Sequence, residues 1–292
     1  AVQHHNAGEL TQAESIYQQI LRTVPNQPQA LHLLGVIAHQ SGENEQAIEL
    51  IEKALSIKPD FAEAHSNLGL TLQELGQLEE AVTCYHKTLA IKPDFAGAHT
   101  NLGLALQALG QLEDAVAQHR EAINITPNNV EAHYNLGLAL HELGQLEEAV
   151  IHYLKAIEIK PDFINAHNNL GNALHELKRL DQAISHYYNA IDIGPDNSEV
   201  HHNLGFTLQL MGKLDEAVAS YRKAIAINPD YSDAHCNLGS ALRASGRLDE
   251  AINCFERANT TVSRADLLEC VYALGEKDRF YQLLEKIILE DK

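Results

Sequence analysis

The side chains with chemistry to offer recur on a fixed spacing. Asn67, Asn101, Asn135, Asn169, Asn203 and Asn237 stand 34 residues apart, each inside the phrase His-x-Asn-Leu-Gly. A carboxamide carries donors and an acceptor together, which suits the alternating N–H and C=O groups of an extended peptide backbone. The same groups can bond a neighbouring repeat, so groove binding and repeat-to-repeat stitching are both open and are compatible. A second set, His65, His99, His133, His167, His201 and His235, lies two residues before each asparagine. Ligands of one zinc must approach it to about 2 Å, whereas equivalent residues of stacked repeats lie several times farther apart. These imidazoles are therefore expected in the core, and His119, standing where other units carry Tyr, is expected to be a ring-sized filler. Buried neutral imidazoles resist protonation, so acid should lower stability. Cys84, Cys236, Cys254 and Cys270 show no metal spacing and are expected to be reduced thiols. No phosphate-binding glycine loop, nucleophile elbow or separate His and carboxylate set occurs. Accordingly, no catalytic residue, metal or cofactor is expected.

The elements that position these residues follow from two kinds of break. Pro25, Pro59, Pro93, Pro127, Pro161, Pro195 and Pro229 mark a frame of 34, and Gly42, Gly76, Gly110, Gly144, Gly212 and Gly246 divide it. Each unit thus reads helix, tight turn, helix, with Lys178 standing where one turn glycine is missing. After the proline, Asp60 and Glu63 have the spacing of a capping box. Counting Ala62, Ala96, Val130, Ile164, Ser198 and Ser232 as position 1, positions 4, 7, 8 and 11 of the first helix form a buried stripe. Positions 20, 24 and 27 of the second helix alternate small residues with one ring, as in Ala217, Tyr221 and Ala224.

The net charge of −19 argues against nucleic acid as partner, since phosphate recognition needs clustered cations. Acidic pairs such as Glu79/Glu80 and Glu147/Glu148 open second helices and Lys or Arg residues close them, as the helix dipole favours. The surplus acid is read as a solvated face or as an attraction for a basic partner. No run of 18 apolar residues and no signal peptide is visible, so a soluble, cytoplasmic protein without membrane contact is expected.

Length 34 with Leu at 7, Gly at 8, Ala at 20, an aromatic at 24, Ala at 27 and Pro at 32 resembles the tetratricopeptide repeat. That resemblance implies an all-α fold, a right-handed superhelix (α-solenoid) of antiparallel helix pairs. The array would run over residues 1–265, with a partial repeat at 1–27 and full repeats at 28–61, 62–95, 96–129, 130–163, 164–197, 198–231 and 232–265. A divergent helix pair would occupy 266–292, capping the array or leading into a further domain. The chain opens at position 8 of a unit without an initiator Met and is expected to be a piece of a longer protein. Two departures from the family are systematic: His at position 4 and Leu at position 11.

The resemblance further implies that first helices line a concave groove with positions 2, 5, 6, 9, 12 and 13. That puts the asparagine ladder beside an apolar row at position 9 (Leu70, Leu104, Leu138, Phe206) and a polar row at position 12 that includes His141 and His175. In residues 164–197 the apolar place is taken by Asn172, read either as a local specificity patch or as drift. The function expected is a protein interaction scaffold binding an extended peptide or partner protein through the ladder. Position 2 carries no Lys and position 6 is Asn, so the basic clamp that grips acidic chaperone tails is missing. Phrases such as Leu75-Gly76-Gln77-Leu78-Glu79-Glu80-Ala81 are similar to the repeats of O-linked N-acetylglucosamine transferases. The alternative they imply is the substrate-recruiting part of a larger glycosyltransferase. Self-association through the terminal repeats is a third possibility.

Overall fold

The computed structural model describes residues 1–258 and 260–290. No strand occurs among the described residues, and the helices divide into two compact units, residues 1–145 and residues from 146 onward. The first holds α1 (Val2–Asn6) and α2 (Leu10–Thr23), α3 (Pro28–Gln40) and α4 (Asn44–Ile57), α5 (Ala62–Glu74) and α6 (Leu78–Ile91), α7 (Ala96–Ala108) and α8 (Leu112–Ile125), and α9 (Val130–Glu142). The second opens with α10 (Leu146–Ile159) and continues as α11 (Ile164–Glu176) and α12 (Leu180–Ile193), α13 (Ser198–Leu210) and α14 (Leu214–Ile227), α15 (Ser232–Ala244) and α16 (Leu248–Ala258), α17 (Thr261–Ala273) and α18 (Lys277–Glu290).

Within a pair, the side chain at position 24, a ring in most repeats and Ile51 in α4, packs on the glycine at position 8. A methyl group on Gly171 would sit 2.5 Å from the Tyr187 ring, and one on Gly205 2.8 Å from Tyr221. His119 fills the same slot against Gly103, fully buried, as the sequence led us to expect. The turn after each first helix needs a left-handed residue. Gly76 has φ 75° and Lys178 adopts φ 60° in its place. Both close the same hydrogen-bonded turn: the N–H groups of Lys178 and Arg179 donate to the carbonyls of His175 and Leu174 at 2.9 and 2.8 Å, as those of Gly76 and Gln77 do to Gln73 and Leu72 at 3.0 and 2.9 Å.

Two expectations are corrected. Asp60 does not cap α5: the N-cap is Phe61, without a side-chain cap bond. An aromatic there serves packing instead, with the Phe61 ring centroid 4.7 Å from that of His32 and Lys58 above its face. Side-chain caps appear where that position is polar, as at Gln27 and Asn129. The second correction concerns the last boundary. Helix α16 stops at Ala258 and α17 begins at Thr261, five residues before the expected 266. The seventh repeat lacks the closing proline, and Thr260 with Ser263 forms a capping box that starts the next helix early. Asp266 thereby falls on position 6, where earlier repeats carry the ladder asparagine.

Candidate functional site

Within each unit, first helices of successive repeats touch: α3 with α5, α5 with α7, α7 with α9, and likewise α11 with α13, α13 with α15, α15 with α17. Second helices of successive repeats stand farther apart, their backbones out of contact, and meet through side chains such as Arg222 of α14 and Glu250 of α16 at 2.8 Å. Closer spacing on one side bends each unit toward its first helices, and positions 2, 5, 6, 9 and 12 line that inner face. Asn135 is buried, and the other five ladder residues are half-buried. Leu70, Leu104, Leu138, Asn172, His141 and His175 are half-buried beside them, and Phe206 is 47% exposed.

The ladder is partly internal. The Nδ2 of Asn67 donates to His32 Nε2 at 2.7 Å, that of Asn203 to Asn168 Oδ1 at 3.1 Å, and that of Asn237 to His202 Nε2 at 2.9 Å. Each acceptor occupies position 5 of the preceding repeat. These partners escaped the sequence reading, although position 5 carried a signal in its run of side chains able to hydrogen-bond. In the second unit the donors form a line: Asn237 to His202, His202 Nδ1 to Asn203 Oδ1 at 3.3 Å, Asn203 to Asn168, and Asn168 Nδ2 to the Glu199 carboxylate at 2.9 Å. The line needs a neutral His202, with its proton on Nδ1 and Nε2 accepting. Burial lowers the pKa of this imidazole and so favours that state. His32 must likewise accept at Nε2, and burial pushes it down to about 4 against the opposing pull of Glu63. Asn101 and Asn135 differ. Neither carboxamide makes a hydrogen bond among the described residues.

The flanking rows are also tied inward. His175 Nδ1 meets Thr207 Oγ1 at 2.9 Å and its ring stacks on Phe206 with centroids 5.2 Å apart. Asn172 Oδ1 accepts from the Tyr187 hydroxyl at 2.7 Å, the role Gln73 and Gln209 play for Tyr85 and Tyr221 at 2.9 Å. The position-4 histidines do more than fill space. The Nε2 of His65, His99, His133, His167, His201 and His235 each donates to the carbonyl of the proline six residues earlier, at 2.9 to 3.2 Å. A carbonyl only accepts, so the proton is on Nε2. The constant Pro-to-His interval was the signal for this bond. Five of the six residues are buried, and His99 is half-buried.

Carboxylates dominate the charge of the inner face. Glu63, Glu131, Glu199 and Asp233 hold position 2. Lys92 comes to 3.8 Å of Glu63, and Arg243 pairs with Asp266 at 3.0 Å and with Glu269.

Comparison with known proteins decides the family. A pattern described as TPR repeat matches residues 36–76, 73–110, 106–144 and 138–178, and one described as tetratricopeptide repeat matches 162–230 and 196–259. The chain belongs to the tetratricopeptide repeat family. No curated protein sequence matches it. Among solved structures it is similar to YrrB, described as a TPR protein with an unusual peptide-binding site, at 24% identity and TM-score 0.56 over 67% of this chain and 97% of that one. It is also similar to MamA, at 27% identity and TM-score 0.53 over 55% and 94%. The Pseudomonas aeruginosa protein pilF aligns at 22% identity and TM-score 0.61 over 69% and 92%. These matches establish the tetratricopeptide fold and not the finer likeness to transferase repeats. Within this fold the two departures now have physical content. His at position 4 stitches a tetratricopeptide helix to the preceding proline turn, and Leu at position 11, as at Leu106, Leu140 and Leu174, is buried. Among the described residues no helix is long and apolar enough to cross a membrane.

Proposed function

We propose that this tetratricopeptide array holds an extended segment of a partner protein along the inner face of its first helices, with ladder carboxamides bonding the partner's backbone. One observation carries this reading. Asn101 and Asn135 sit on the inner face with neither N–H nor C=O engaged among the described residues, although their counterparts at Asn67, Asn203 and Asn237 are bonded. No carboxamide atom of either residue is among the sealed, unpartnered ones, so both groups stay reachable from the groove. A peptide amide supplies both a donor and an acceptor to such a carboxamide. The half-exposed leucines at position 9 add apolar contact beside it. The same fold carries the peptide-binding site described for YrrB.

The test is binding. Random peptides displayed against the whole chain should yield sequences retained by the wild type and lost from an Asn101→Ala, Asn135→Ala variant. Retention equal on both proteins overturns the ladder reading.

A further inference from the structure

The end of the second unit contains a hollow on its inner face. It measures about 390 Å³ and is bordered by Phe206 of α13, by Asp233, Cys236 and Asn237 of α15, and by Thr260 and Val262 at the start of α17. It exists because the seventh repeat is short: α17 arrives five residues early and brings Val262, 66% exposed, opposite Phe206. A hollow of this size lies at the low end of ligand-binding cavities, roughly 300–1,000 Å³, and suits one side chain.

Its walls select the side chain. Phe206 is stacked by His175 at 5.2 Å and is 47% exposed where it borders the hollow. Asn237 donates to His202 and leaves its Oδ1 without a partner among the described residues. The charges acting here share one sign. Asp266 and Asp233 bear on Cys236, and Asp233 and Glu199 on His202. The nearby cation, Arg243, is taken by Asp266 and Glu269. An acidic side chain would be repelled, and a purely apolar one would cover Asp233 without pairing it, which is costly. A guanidinium satisfies every wall: it lies flat on an aromatic ring, forks to a carboxylate and donates to an amide oxygen.

We propose that this hollow takes an arginine side chain of a partner segment lying along the inner face of the second unit, stacked on Phe206, paired with Asp233 and donating to Asn237 Oδ1. This rests on the groove reading above and adds the residue type that the groove prefers. Arginine binding here would give a sequence-tolerant ladder its specificity.

The experiment sequences the peptides retained from a random twelve-residue display by the whole chain. Wild-type protein should enrich arginine at one position, and Asp233→Asn should retain peptides without that enrichment. Asp233 is exposed, so the variant keeps its fold, which circular dichroism verifies. Replacing the selected arginine by citrulline, which keeps shape and loses charge, should weaken binding to the wild type about tenfold and leave binding to Asp233→Asn unchanged. Ladder-dependent retention without arginine enrichment overturns the arginine site and spares the ladder. Arginine enrichment that survives Asn101→Ala with Asn135→Ala supports the site and overturns the ladder. A citrulline swap without effect on the wild type also overturns the site.

Discussion

Replacing His119 by Tyr should make the protein more stable, by an amount that depends on pH. The His119 ring is fully buried in the slot that Tyr85 and Tyr221 fill in their repeats, against the same glycine at position 8. Both of its ring nitrogens lack a partner, and so does the buried Oε1 of Gln107 at position 12. In the two repeats that pair a tyrosine with Gln at that position, the glutamine accepts the hydroxyl: Gln73 from Tyr85 and Gln209 from Tyr221, each at 2.9 Å. His119→Tyr removes two orphaned nitrogens and supplies the hydroxyl that Gln107 lacks. Each unmet buried group costs about 1–3 kcal/mol, and a new bond returns about 1. Allowing for the larger ring, the net gain is about 2 kcal/mol at pH 7.

Acid should widen the gap. Burial pushes the His119 pKa from 6.5 down to about 4, so between those values the unfolded chain binds a proton that the folded one refuses. Stability is therefore lost as pH falls through 6.5 and stops falling near 4. At pH 5 the loss from this group is about 2 kcal/mol, at about 1.4 kcal/mol per unit. Tyrosine carries no such penalty, so the variant's advantage should grow from about 2 kcal/mol at pH 7 to about 4 at pH 5. Urea unfolding followed by circular dichroism measures the sum. Amide exchange in α8 localises it, because a repeat array need not unfold in one step. A variant less stable than the wild type, or an advantage that does not change between pH 7 and pH 5, refutes the reasoning.

Lys178→Gly should stabilise by about 1 kcal/mol, because φ 60° strains any residue with a Cβ; an unchanged urea midpoint would count against strain at that turn. Gly171→Ala should destabilise by about 1–3 kcal/mol, since the methyl would meet the Tyr187 ring at 2.5 Å. The same methyl should weaken the bond from Tyr187 to Asn172, visible as faster exchange of the α11 and α12 amides.

The helix pairs, the turns and the packing of ring on glycine were legible because each imposes a spacing: 34 for the unit and 16 between Gly205 and Tyr221. Side-chain partners were not, because periodicity reports which face a residue takes and not which atom it meets. Asn67 and Asn101 share one phase, yet one is bonded to His32 and the other to no described residue. The difference lies one repeat earlier, where position 5 is the long ring of His32 in one case and the short hydroxyl of Ser66 in the other. Capping failed similarly. Asp60 and Glu63 had the spacing, but Phe61 between them takes the cap position to pack its ring on His32. The early start of α17 was present in the interval from Gly246 to Gly275, 29 residues instead of 34, a shift that the absence of a closing proline obscured.

The central claim is that the free rungs bind and the bonded rungs stitch. Asn101→Ala with Asn135→Ala should weaken binding of a display-selected peptide about 10- to 100-fold, from about 1 kcal/mol per lost backbone bond, with little change in the urea midpoint. Asn67→Ala with Asn237→Ala should lower stability by about 1–2 kcal/mol per site, because His32 and His202 lose their donors. The decisive measurement is peptide affinity beside unfolding free energy for these two double variants. Lost affinity at full stability in the first is the result this account predicts; full affinity at lowered stability would contradict it.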